Sequence, residues 1–215
     1  MIEVKRTVFF SWQSDLPNST NRNFIEDSII KAIKEQQKDK QYHLLLNLDR
    51  DTVSKQGTPD IADSIFNKIT KSSFFIADIS LINGKSRKYR RTPNPNVLLE
   101  LGFAVKQLGW ERIVCVFNTD FGRLSDLPFD LRNRRIITYQ TSTYKEAEKK
   151  KMVSLFKKIF EENYMQTIFS NELLDYYNGD IYLSLYRIVT DISKVLQGYD
   201  NQSKSLENVK SVLNM

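Results

Sequence analysis

Five short runs of apolar, β-prone residues punctuate the first two thirds of the chain, at 7–10, 42–48, 73–78, 112–118 and 135–139. They are apolar nearly throughout. A strand with one wet face would alternate apolar and polar residues. Strands without that alternation are buried on both faces, the condition of a parallel sheet covered by helices. The segments between them carry apolar residues at helical spacing. Phe24, Ile25, Ile29, Ala32 and Ile33 follow Asn21, and Ile61, Ile65, Phe66 and Ile69 follow Pro59-Asp60. Val97, Leu101, Ala104 and Leu108 follow Asn94-Pro95, and Gly109 stands where a C-terminal cap belongs. Ser142 or Thr143 caps a further pattern through Ala147, Met152, Phe156, Ile159 and Phe160. Residues 127–131 read as a short turn or half helix. Strand and helix in alternation require right-handed crossovers. The expected fold is therefore α/β: a flavodoxin-like five-stranded parallel sheet, order 2-1-3-4-5, with helices on both faces. Ligands of such sheets sit beyond the C-terminal strand ends, near a switch point. Ser11 to Ser14, Asp49, Asp51, Asp78, Ser80 and Asn118 fall there.

The pattern changes after about Met165. No further strand signal appears, and Ile181, Leu185, Ile188, Ile192 and Val195 recur at spacings of four and three, as in a coiled-coil seam. Leu173, Leu174, Tyr176 and Tyr177 precede the seam, and Leu206, Val209 and Leu213 suggest a last short helix. The expected division is a sheet domain at 1–163 and a helical extension at 164–215. The extension packs on the sheet domain, joins copies into a homo-oligomer, or docks a partner protein.

The 215 residues suffice for one good core plus such an appendage, and a 40% hydrophobic, 27% charged composition is that of a soluble protein. No apolar run reaches membrane-spanning length, and residues 1–6 lack a signal-peptide pattern. A single cysteine, Cys115, excludes an internal disulfide framework and fits a reducing cytoplasm, the expected location. With one histidine, His43, it also leaves no zinc cluster and argues against a Cys-His nucleophilic pair. Asp49 and Asp51 alone are a weak metal signal, so no metal is expected. The formal charge of +6 permits phosphate contact. Its densest run, Lys85-Ser86-Arg87-Lys88-Tyr89-Arg90-Arg91, reads as a solvated loop or as a phosphate-binding lip. No motif of nucleic-acid-binding spacing accompanies it, and nucleic acid is not an expected partner.

One residue interrupts the apolar run from Val97 to Val105: Glu100. A carboxylate in such a run is costly unless paired or put to use. Asn94 can cap this helix and Pro95 suits its first turn, which puts its start on the ligand-binding rim. Asn96 and Glu100 share a face, about 80° from the centre of the apolar stripe. The bland alternative is that Glu100 edges that stripe, reaching outward or pairing with Arg22.

The chemistry open to one carboxylate is narrow. Hydrolysis of an O-glycoside normally takes two, because the leaving alkoxide must be protonated. The bond from ribose to a pyridinium, as in NAD, is different: the base departs neutral. One carboxylate then suffices, by stabilising the oxocarbenium-like transition state or by trapping it covalently. A purine or pyrimidine leaving group would need an acid, such as Asp78. Trp12 is core or a stacking platform. Asp78 is a strand-end cap or a ribose contact. Arg22 is a helix opener or a phosphate clamp.

The segments Phe10-Ser11-Trp12-Gln13-Ser14-Asp15 with Asn21-Arg22-Asn23-Phe24-Ile25, Gly57-Thr58-Pro59-Asp60-Ile61, Phe75-Ile76-Ala77-Asp78-Ile79-Ser80, and Pro93-Asn94-Pro95-Asn96-Val97 through Glu100-Leu101-Gly102-Phe103-Ala104 carry a resemblance. In this order they resemble prokaryotic TIR-like nucleotide-binding proteins, relatives of the Toll/interleukin receptor domain. The Glu-Leu-Gly-Phe-Ala stretch is also similar to nucleoside 2-deoxyribosyltransferases. The resemblance covers residues 4–163 and leaves the extension unmatched. It implies that Glu100 cleaves the nicotinamide–ribose bond of NAD, either hydrolysing it or forming a cyclic nucleotide. It also implies a pocket lined by Ser11, Trp12, Asp78 and Asn96, to which Gln13, Arg22, Ser80 and Asn94 are added as expected binding residues by their place at the rim, with no cofactor beyond NAD as substrate. Members of the family often serve in bacterial antiviral defence, switched on by oligomerisation. The Asn-Pro-Asn start of the helix and the long extension depart from typical TIR domains. Two alternatives stand beside NAD cleavage: deoxyribosyl transfer with Glu100 as nucleophile, and a silent nucleotide-sensing or scaffold module.

Overall fold

The structure, a computed structural model, describes residues 4–38, 44–49, 61–84, 88–134, 136–168, 184–185, 187–189 and 192. Asp51, residues 57–60, Lys85 to Arg87, the 173–177 segment, Ile181, Val195, Leu206, Val209 and Leu213 lie outside the described residues, as does His43. The chain divides into two compact units, Met1–Tyr164 and Met165–Met215.

In chain order the elements are β1 (Val4–Ser11), α1 (Arg22–Lys38), β2 (Leu44–Asp49), α2 (Ile61–Lys71), β3 (Phe74–Asp78), α3 (Pro95–Leu108), β4 (Ile113–Asn118), α4 (Phe129–Arg132), β5 (Ile136–Tyr139) and α5 (Lys145–Ile168). The five strands form one sheet in the order β2-β1-β3-β4-β5, and each pairing is parallel. This is the expected α/β, flavodoxin-like topology. β1 is longer than its apolar run: Val4, Lys5 and Arg6 extend it by pairing with Leu44, Leu45 and Leu46 of the edge strand.

Successive side chains of a strand point to opposite faces, and the core divides accordingly. Val8 and Phe10 of β1, Phe74 and Ile76 of β3, and Val114 and Val116 of β4 pack with Phe24, Ile25 and Ile29 of α1 and with Met152, Phe156 and Phe160 of α5. Phe9, Phe75, Ala77, Cys115 and Phe117 face the other way, onto Ile69 of α2, Val97, Leu101 and Ala104 of α3, and Leu131 of α4. Both faces of the sheet are therefore dry, which is why its strands read as continuous apolar runs. All five residues of β3 are buried.

The bounds of α3 follow from local chemistry. Asn94 Oδ1 accepts from the backbone N–H groups of Asn96 and Val97, and Pro95 occupies the first turn. Gly109 ends the helix at φ 76°, a conformation that favours glycine, and its N–H donates to the Val105 carbonyl. Val97, Leu101 and Ala104 turn inward, as their spacing predicts, and Glu100 sits half-buried beside them.

In the second unit Leu185, Ile188, Val189 and Ile192 are helical and exposed.

Phe75 is wholly buried and stacks on Phe9 at 5.8 Å between ring centres. Phe75→Ala should lower the unfolding free energy by about 3–5 kcal/mol, from lost burial and the cavity left behind. Urea unfolding measures it, and a loss under roughly 1 kcal/mol would contradict this packing.

Candidate functional site

β1 and β3 are neighbours, yet α1 leaves β1 for one face of the sheet and α3 follows β3 on the other. Chain segments that part in this way open a crevice at the strand ends. A cleft of about 300 Å³ lies there. One wall is the end of β1 and the turn after it, Phe9 to Ser14; the other is the start of α3, with Asn94, Asn96 and Glu100. Ile65 of α2 completes the lining.

The Ser11 hydroxyl donates to Glu100 Oε2 over 2.6 Å. That length is typical of a hydroxyl on a carboxylate. Ser11 is buried at the last position of β1, and Glu100 is one and a half turns into α3. The strand end therefore holds one oxygen of the carboxylate at the cleft. Among the described lining residues Glu100 is the sole ionisable side chain.

The turn that carries Trp12 and Ser14 is anchored from below. Gln13 accepts from the Leu16 N–H through its carbonyl and donates to Asp78 Oδ2 through its amide, 3.3 Å away. Asn21 donates to the same Asp78 oxygen at 3.1 Å, and the Ser80 N–H donates to Oδ1 at 3.0 Å. The network continues outward. Asn118 donates to Asn21 Oδ1, to the Thr20 carbonyl and to Thr141 Oγ1, and its own N–H donates to Ser80 Oγ. Asp120 then accepts from the backbone and hydroxyls of Thr141 and Ser142. Burial would raise the Asp120 carboxyl, but the hydrogen bonds from Ser142 and Thr141 outweigh it and hold the group below its ordinary range.

Of the residues expected at the site, Ser11, Trp12, Gln13, Asn94, Asn96 and Glu100 come together along the cleft. Arg22 lies over the Trp12 ring, its guanidinium 3.5 Å from the ring centre, with Nε 4.0 Å from Glu26. Asp78 and Ser80 are sealed beneath the turn with no exposed surface. In this structure they support the cleft and do not line it. Asp49 pairs with Lys68 at 2.9 Å. Lys88, Tyr89 and Arg90 of the basic run are exposed, and Arg91 pairs with Asp126.

Sequence reasoning missed the parts played by Asn21, Thr141 and Asp120, and it missed Asp15, which accepts from the Asn94 amide at 2.6 Å. Asn21 and Thr141 are buried polar residues, which announce themselves only once their depth is known, and the partners of Asp120 and Asp15 lie far away in the sequence. Among the described residues no group of three or more His, Cys, Asp or Glu is placed to hold a metal. Cys115 is buried, which pushes its thiol up to about 12 despite the charge of Arg134, far from a reactive thiolate.

Burial raises the Asp78 carboxyl above its ordinary 3.8, and the hydrogen bonds from Ser80, Asn21 and Gln13 only partly oppose this. The folded chain thus holds that proton more tightly than the unfolded chain. The contribution of Asp78 to stability is greatest below 3.8 and falls as pH rises through the raised folded value. Asp78→Asn cannot titrate. Its unfolding free energy should therefore gain on the wild type as pH rises through that window. Urea unfolding across an acid-to-neutral series tests this, and parallel curves would contradict it.

No family model matches the chain, and no curated protein matches its sequence.

Proposed function

We propose that this protein cleaves the N-glycosidic bond between nicotinamide and ribose in NAD, with Glu100 as the catalytic carboxylate. One observation carries the reading: Glu100, held by Ser11, is the sole ionisable group among the described residues lining a cleft at the switch point. Such a lining has a charge to offer a developing cation and, among the described residues, no second acid for a poor leaving group. Pyridinium ribosides meet that condition and ordinary nucleosides do not.

In this mechanism the bond from C1′ to the ring nitrogen breaks and its electron pair goes to the ring, which leaves as neutral nicotinamide. Positive charge develops on C1′ and the ring oxygen of the ribose. The Glu100 carboxylate stabilises that charge electrostatically or forms an ester with C1′. Water adds its oxygen to C1′ and gives up a proton to solvent. The products are ADP-ribose, nicotinamide and one proton. Trp12 offers an aromatic face to the nicotinamide ring, and Asn96 offers an amide to the ribose hydroxyls. Arg22, carried on the Trp12 ring, is the cation this reading assigns to the diphosphate. Asp78 and Ser80 act from below by fixing the turn. No cofactor is needed beyond NAD as substrate.

Glu100→Gln keeps the shape of the side chain and its acceptor for Ser11 but removes the charge. It should lower nicotinamide release by roughly 10²–10³-fold, the scale at which a transition-state electrostatic contact acts. Chromatography of NAD incubated with each form reads this directly. Wild-type protein that releases no nicotinamide, even when concentrated or forced to assemble, would overturn the proposal.

Assembly belongs to the same reading. Leu185, Ile188, Val189 and Ile192 are each more than half exposed at helical spacings of three, one and three, which supports association with a second copy through this stripe. Leu185→Glu with Ile192→Glu in the full chain should reduce the mass measured by light scattering to that of a monomer. A wild type that is already monomeric at high concentration would contradict this part.

A further inference from the structure

Among the described residues, two hydrogen bonds join the walls of the cleft. At the inner tie Ser11 meets Glu100. At the outer tie Asn94 Nδ2 donates to Asp15 Oδ2 over 2.6 Å, between a half-exposed and an exposed residue. Asn94 and Glu100 are six positions apart in the chain, about 9 Å along the helix axis.

Asn94 uses both ends of its amide. The carbonyl caps α3 by accepting from the N–H groups of Asn96, at 2.8 Å, and Val97, at 3.3 Å. Aspartate or serine would serve equally well as a cap. What asparagine adds is an N–H, and that N–H goes to Asp15. The same side chain thus sets the start of the helix that bears Glu100 and fastens the turn that bears Trp12. Ser14, Asp15 and residues 17–19 are exposed. Beneath them the hold is Gln13 on Asp78; across the cleft the hold is Asn94 on Asp15.

We propose that Asn94 and Asp15 are a positioning pair, a clip across the cleft that sets the spacing between the Trp12 wall and Glu100. The effect on turnover rests on Glu100 being the catalytic carboxylate. The clip itself can be read without turnover. Catalysis is sensitive to such spacing: a displacement of about 1 Å can cost on the order of 10²-fold in rate.

Asn94→Asp separates the two tasks of this side chain. It keeps the cap, removes the donor and sets two carboxylates against each other. The double variant Asn94→Asp with Asp15→Asn restores the bond with its polarity reversed. Two readouts apply to the full chain. The first is nicotinamide release from NAD, with kcat and KM separated. The second is acrylamide quenching of Trp12 emission in a Trp110→Phe background, which needs no turnover.

We expect Asn94→Asp to lower kcat roughly 10-fold or more, with a smaller change in KM, and to raise the quenching of Trp12. The double variant should recover most of both, and the melting temperature should stay near wild type because the cap remains. Wild-type quenching in Asn94→Asp, or a double variant no better than the single one, would overturn the clip. Quenching that rises and then recovers, with no nicotinamide released by any form, would uphold the clip and remove the reaction assigned to Glu100.

Discussion

The hydrogen bond from Ser11 to Glu100 spans the place where the topology comes apart. β1 and β3 lie side by side, but the helices that follow them depart to opposite faces of the sheet. Nothing in the backbone ladder holds the turn after β1 against α3. Side chains must do it, and Ser11 does so at the last residue of the strand. Partial burial of a carboxylate within an apolar helix is costly, and a donor on it offsets part of that cost. The tie satisfies one oxygen of that carboxylate and leaves the group at the edge of a cleft.

A second carboxylate works in the opposite way. Asp78 is wholly buried, and the desolvation it suffers exceeds what its donors return, so its carboxyl is shifted upward. Its value to the fold is geometric. Gln13, Asn21 and Ser80 converge on it from the turn after β1, the start of α1 and the end of β3. Asn118 extends the same network to β4 and, through Thr141, beyond β5. The sheet end is thereby a polar plate under an apolar core, and the cleft stands on it. Glu100 is partly exposed at the cleft; Asp78 is sealed and structural.

How far the sequence could be read follows from the range of each interaction. The cap at Asn94, the stop at Gly109 and the stripe of Val97, Leu101 and Ala104 are local, and α3 takes the expected residues. Continuous apolar strands declared a sheet covered on both sides, and the order 2-1-3-4-5 followed. The partners of long-range polar contacts were hidden. Gln13 finds Asp78 from 65 residues away, and Asn118 finds Asn21 from 97. Asp78 and Ser80 stood at a strand end, as ligand-binding residues do, and depth alone separates that role from support. Arg22 likewise gave no sign in the sequence that it would lie on Trp12.

The central proposal is chemical: this cleft would expel a base that leaves neutral and not one that must be protonated. The direct measurement is base release by the same protein from NAD and from deoxyadenosine, side by side at neutral pH. The account predicts nicotinamide from the first and no adenine from the second. Adenine released as fast as nicotinamide would contradict it, because that leaving group needs an acid and the described lining offers only the Glu100 carboxylate.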